Sequence, residues 1–308
     1  MVVADFKDIG ERHYGVSVKY YNNDNQQLFD KRMDYDVRVN VTEGTVGWQL
    51  SIAKENIFFN QHEPDAINEI LSQHISSALY PVETEVDEKL VNLKGITNHD
   101  QIIKRWENNK NKIRDKYAGD TITELIRIAD IKFGSKARIE KAMKYDLFWN
   151  LFFHPRYLDY GGNAGVRTDL YLAIVPYKFP VRFSGKQTVN LQVTAYYAVQ
   201  VNFTSDEMDA PDYLIPDGQK GKPYYMKVDV VFDLDARHFF PMHTRANFEL
   251  YFRDAEGKIQ SARRIGFTMY QLNTVIKEDK FNIVINREEP ATKKSRLMKF
   301  IDALVGDD

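Results

Sequence analysis

Apolar and polar residues alternate at period two over three stretches near the start of the chain. Tyr14, Val16, Val18 and Tyr20 form the first set, Tyr35, Val37, Val39 and Val41 the second, and Val46, Trp48, Leu50 and Ile52 the third. Such alternation places every second side chain on one face of a strand. Asn22-Asn23-Asp24-Asn25 and Glu43-Gly44 separate the runs with residues that tolerate turn backbone. The pattern predicts an antiparallel meander with one apolar face. Ile67, Ile70, Leu71, Ile75 and Leu79 then recur at helical spacing between Pro64-Asp65 and Pro81, and residues 82–93 read as a further strand closed by Gly95.

Residues 96–153 change to helical periodicity. Thr97 or Asn98 caps a first helix whose apolar positions are Ile102, Ile103, Trp106, Ile113 and Tyr117, and Gly119 stops it. Asp120 or Thr121 caps a second, with Ile122, Leu125, Ile126 and Ala129 as its stripe. Ser135 caps a third, running through Ile139, Met143 and Phe148. Residues 147–153 (Leu-Phe-Trp-Asn-Leu-Phe-Phe) are too apolar for solvent and belong in the core, joining the β regions on either side, or against a partner.

Period two returns afterwards. Strands are expected over 170–175, 187–203, 224–232, 246–253, 259–270 and 281–285, with a glycine-rich hinge at 161–165, a long exposed loop over 209–222 and a hairpin turn at Asp254-Ala255-Glu256-Gly257. After Pro290, Leu297, Phe300, Ile301 and Leu304 make the apolar stripe of a short basic helix. The expected fold class is α+β: two antiparallel β-rich parts, a meander and a sandwich or open barrel, separated by a three-helix block. The implied divisions are 1–95, 96–160, 161–290 and 291–308. The pattern leaves open whether the two β parts share one sheet.

Composition narrows the chemistry. The chain has 308 residues, no cysteine and a net charge of −2. Disulfides, thiolate metal sites and cysteine nucleophiles are thereby excluded. No run is apolar enough for a membrane-spanning helix, and the N-terminus lacks the apolar core of a signal peptide, so the cytoplasm is the expected location. Charge is uneven: residues 94–144 carry 13 Lys and Arg against 7 Asp and Glu, a net of +6. Nucleic-acid binding through this basic block is an alternative, but Glu107, Asp115 and several Asn dilute its face, so nucleic acid is not the expected partner.

Ile75-Ser76-Ser77-Ala78-Leu79-Tyr80-Pro81, Gly95-Ile96-Thr97-Asn98, Lys104-Arg105-Trp106 and Lys116-Tyr117-Ala118-Gly119 together resemble a block found in uncharacterised bacterial proteins of the Bacteroidetes type. The resemblance covers roughly a quarter of the chain. It implies a bacterial source and brings no catalytic residues.

No phosphate loop, dinucleotide fingerprint, His-Glu-x-x-His or nucleophile elbow is present. The densest polar cluster is Asp233-Leu234-Asp235-Ala236-Arg237-His238, followed by His243. Two carboxylates and two imidazoles could hold a divalent metal and activate water, so Asp233, Asp235, His238 and His243 are the candidate ligands of a metal-dependent hydrolase. The competing explanation is a strand end with solvated charges. His62, ahead of a helix, could serve as a base, but a capping role suits its position better. No cofactor is expected. The favoured expectation is a non-enzymatic structural or adaptor protein that contacts other subunits, or its own copies, in a bacterial assembly. A phage-tail-like or secretion-machine subunit fits this character. The apolar stripe Leu297, Phe300, Ile301 and Leu304 is the candidate partner-binding element.

Overall fold

A computed structural model describes residues 9–272 except 23–29, 45–46, 88–91, 157, 161–164, 176–178, 191, 195 and 216–220. The first three alternating runs are strands β1 (Glu11–Asn22), β2 (Lys31–Gly44) and β3 (Gly47–Phe59), followed by helix α1 (Ile67–Leu79) and strands β4 (Val82–Val86) and β5 (Leu93–Ile96). The helical block holds α2 (His99–Lys116), α3 (Asp120–Phe133), α4 (Lys136–Met143) and α5 (Leu147–Phe152). Strands β6 (Val166–Leu172), β7 (Val181–Asn190), β8 (Ala198–Ser205), β9 (Met208–Asp209), β10 (Tyr224–Asp235), β11 (Pro241–Arg253) and β12 (Ile259–Gln271) complete the described chain.

All twelve strands belong to one antiparallel sheet, in the order β5-β4-β3-β2-β1-β12-β11-β10-β8-β7-β6, with β9 paired to β10 beside β8. The meander and the second β region are therefore joined. Val16 on β1 faces Met269 on β12, and the ladder runs from Tyr14↔Gln271 to Asn22↔Arg263. One connected set of buried residues extends from Ile9 to Met269 and takes in both halves and the helices. Along β10 the expected alternation is complete: Tyr224, Met226, Val228, Val230, Phe232 and Leu234 are buried, and the residues between them are not.

Four expectations change. The single strand over 187–203 is two strands with a turn between them. Asn190 Oδ1 accepts from the Gln192 amide, and Thr194 Oγ1 accepts from the amides of Tyr196 and Ala198, so two side chains replace the Gly or Pro that usually marks a turn. The third helix ends at Met143. After a short turn Asp146 caps α5, accepting from the Phe148 amide at 2.8 Å, so the block has four helices instead of three. The strand over 82–93 is likewise divided into β4 and β5. The loop over 209–222 is not wholly exposed, since Leu214 is buried in a helical turn and Met208–Asp209 pairs with β10. The strand expected at 281–285 and the helix carrying Leu297, Phe300, Ile301 and Leu304 lie outside the described residues.

The second half of the sheet curls. Strands β7 and β11 are three places apart, about 14 Å in a flat sheet. Yet the Phe183 and Phe248 rings lie 6.0 Å apart across its inner face. Residues 146–156 run across that inner face. Phe152 meets Tyr14 on β1 and Phe240 beside β11, both edge-on, and His154 stacks on Phe232 of β10 at 5.4 Å. The segment therefore touches both halves of the sheet, as its apolar composition requires.

Candidate functional site

Two buried polar anchors hold this segment. The first is the Lys54–Asp146 ion pair, which ties β3 to the cap of α5. The Lys54 side chain is only 7% exposed, and its ammonium also lies 4.6 Å from the Tyr35 ring centroid and 5.4 Å from those of Tyr80 and Phe148. Burial opposes the charge on Lys54, but Asp146 and the two tyrosine oxygens outweigh it, and the lysine is held protonated more firmly than in water. Trp149 Nε1 donates to Tyr80 Oη at 3.1 Å and closes the cage.

The second anchor is neutral. His154 is 3% exposed and its Nε2 lies 2.7 Å from Gln187 Oε1 on β7. The Gln187 amide nitrogen donates to the Pro155 carbonyl and to Tyr160 Oη, and Tyr160 donates to the Arg156 carbonyl. With the amide nitrogen so engaged, Oε1 is an acceptor, so His154 carries its proton on Nε2. Burial lowers the His154 pKa to about 4; the hydrogen bond that His154 donates to Gln187 resists this and the Arg156 charge adds to it. Arg156 is buried as well and donates to the Leu151 and Phe152 carbonyls. These groups are consumed in holding the chain together.

The proposed metal ligands divide into a pair and a cap. Asp233 Oδ2 lies 3.2 Å from His243 Nδ1 across the β10–β11 ladder, and Asp233 Oδ1 accepts from Gln200 on β8. The His243 contact, with help from Gln200, holds the Asp233 carboxyl below the usual range. Asp235 instead accepts from the Arg237 and His238 amides and caps the turn after β10. Among the described residues, the grouping with three ligand atoms within 4.8 Å of one another is His62, Asp65 and Glu69, and it does not include the Asp233 set. There Glu69 already accepts from the Asp65 amide, and His62 Nδ1 lies 2.9 Å from the Glu63 carbonyl, the arrangement of a helix entry.

Part of the basic block is committed to the fold. Lys110 pairs with Glu107 and Asp130, and Arg127 with Glu124. Arg105 donates to the carbonyls of Ala78, Leu79 and Pro81, satisfying the end of α1.

What stands out at the surface is the β7–β8 turn. Val193, Tyr196 and Tyr197 are 52%, 66% and 73% exposed. The tip is nonetheless fixed. Thr194 exchanges backbone hydrogen bonds with Ala198 and Tyr197, and the Tyr197 carbonyl accepts from Ala236 in the turn after β10. Tyr197 has a φ of 56°, a left-handed conformation that costs a bulky residue roughly 1 kcal/mol or more. No motif announces this site; the one sequence signal is a paired tyrosine just after Thr194.

No family model matches the chain, and no curated protein matches it. Among the described residues no helix is long and apolar enough to cross a membrane.

Proposed function

We propose that the chain is a non-enzymatic structural or adaptor protein, acting through protein–protein contacts in a bacterial multi-subunit assembly. The observation that carries this reading is the rigid aromatic tip. Tyrosine offers a large contact area with little side-chain entropy to lose, and it is enriched at the energetic centres of protein interfaces. A tip already fixed by its own hydrogen bonds loses less order on docking. The bacterial setting rests on the resemblance over residues 75–119. In this reading the curled half of the sheet is an open barrel packed around residues 146–156, a support and not a reaction chamber. The stripe Leu297, Phe300, Ile301 and Leu304 supplies a second contact.

A photo-crosslinking residue at position 197, with the same residue at Glu107 on the exposed side of α2 as control, tests the tip in cells of the source organism. The expected result is one adduct of defined mass from position 197 and none from 107. The Tyr196→Ala/Tyr197→Ala variant should fold normally and leave the native complex. A chain that migrates as a lone monomer from its own cells, unchanged by that variant, refutes the reading.

A further inference from the structure

The two outer strands of the sheet are treated differently. The β5 edge is blocked, since the Ile96 amide donates to Glu140 Oε1 on α4. Among the described residues β6 pairs with β7 alone. The Ser184 carbonyl of β7 accepts from Asp206, which fixes the even residues of β7 as those bonded towards β8. The odd ones therefore bond to Val166, Thr168, Leu170 and Leu172 of β6. It follows that Arg167, Asp169 and Tyr171 direct their amides and carbonyls at the open edge. The next such amide, that of Ala173, is taken by Asn150 Oδ1 of α5. The open stretch thus runs from Gly165 to Tyr171, and its midpoint is Thr168.

We infer that this edge pairs with the same edge of a second copy, antiparallel, about a two-fold axis at Thr168. The register follows from charge. Centred on Thr168, Arg167 faces Asp169 of the other copy twice, and both residues present main-chain groups for paired hydrogen bonds. Shifting by two residues would place Asp169 against Asp169, and like charges directly opposite repel. Each Arg167 also pairs with Asp206 of its own chain, and each Asp169 with its own Arg182, so the two cross-edge contacts extend charge pairs already present on that face of the sheet. The same register sets Tyr171, 52% exposed, opposite Gly165. Two sheets would then continue through one another, a common way of using an unpaired edge. The inference rests on the β6 edge and not on the aromatic tip.

The chain has no cysteine, so a single introduced one reports unambiguously. At the axis the two Thr168 positions form a non-hydrogen-bonded pair about 4.5 Å apart, within disulfide reach. The two Tyr171 positions are about 20 Å apart. Full-length Thr168→Cys should oxidise to a covalent dimer, Tyr171→Cys should remain monomeric, and the unaltered chain should sediment as a concentration-dependent dimer. Tyr196→Ala/Tyr197→Ala should leave all three results unchanged. Equal linking at both positions overturns the proposal. So does a monomer at every concentration, and so does a monomer whose Arg167 and Asp169 amides exchange slowly, which would mean that the chain covers its own edge.

Discussion

Protonation of His154 tests whether the second anchor is as dry as its geometry implies. The imidazole is stacked on Phe232, donates to Gln187 and has a pKa of about 4 in the fold, against 6.5 in an unfolded chain. Between those values the unfolded chain binds more protons, so stability is fully present above pH 6.5 and is lost as pH falls towards 4. The full difference corresponds to about 3 kcal/mol, of which about 2 kcal/mol is lost between pH 7.5 and pH 5. Against a typical total of about 5–15 kcal/mol this is a large fraction.

Other groups titrate over the same range, so the contribution of His154 must be isolated by difference. His154→Gln keeps a neutral donor for Gln187 Oε1 and removes the titration. Urea unfolding of both proteins at the two pH values gives four free energies. The parent should lose about 2 kcal/mol more than the variant on going to pH 5. Labelled-histidine NMR should show one imidazole still neutral at pH 5. Equal losses in the two proteins, or an imidazole that titrates near 6.5, would refute the claim that burial and Gln187 hold His154 neutral.

The first anchor predicts an asymmetry. Asp146→Ala strands the buried Lys54 charge and removes the α5 cap, for a loss of about 3 kcal/mol, whereas Lys54→Met leaves a partly solvated carboxylate and costs about 1 kcal/mol; urea unfolding ranks them, and the reverse order would contradict the cage around Lys54. At Gly15 a β-carbon would lie 2.7 Å from the end of the Tyr270 ring, but that side chain is exposed and its tip can swing aside, so Gly15→Ala should cost less than about 1 kcal/mol, and nothing in a Tyr270→Ser background, a difference that thermal unfolding can measure.

Local pattern made most strands and helices legible, because alternation and helical spacing are written in neighbouring residues. The β7–β8 turn was not, since Asn190 and Thr194 build it with side chains in a run that still alternates. The β1–β12 ladder was not legible either. It joins residues about 250 apart, and only matched apolar faces, common to every strand here, favour that pairing. Of the candidate chemistry, the closeness of Asp233 and His243 follows from a hairpin that could be read in the chain. The engagement of Asp235 by the turn could not, because capping depends on backbone direction. Lys54, His154 and Gln187 carried no signal. Each is a lone polar residue, and its meaning comes from what the curled sheet brings against it.

The two anchors differ in kind, and the difference bears on where contacts can form. Lys54–Asp146 fixes the segment to the meander by charge, while His154–Gln187 fixes it to β7 without charge. β7 is also the strand that carries β6 on one side and leads into the aromatic tip at its end. An unsupported two-strand corner would be only marginally ordered. Here the β6–β8 corner is packed from within by His154, edge-on to Phe203 of β8 and hydrogen-bonded to Gln187 of β7, and the hydrogen bond from Ala236 to Tyr197 joins its tip to the turn after β10. The exposed tyrosines and the open edge therefore stand in a fixed relation to one another. Rigidity at that corner is what the buried polar groups contribute, and the proposed contact surface needs little else from them.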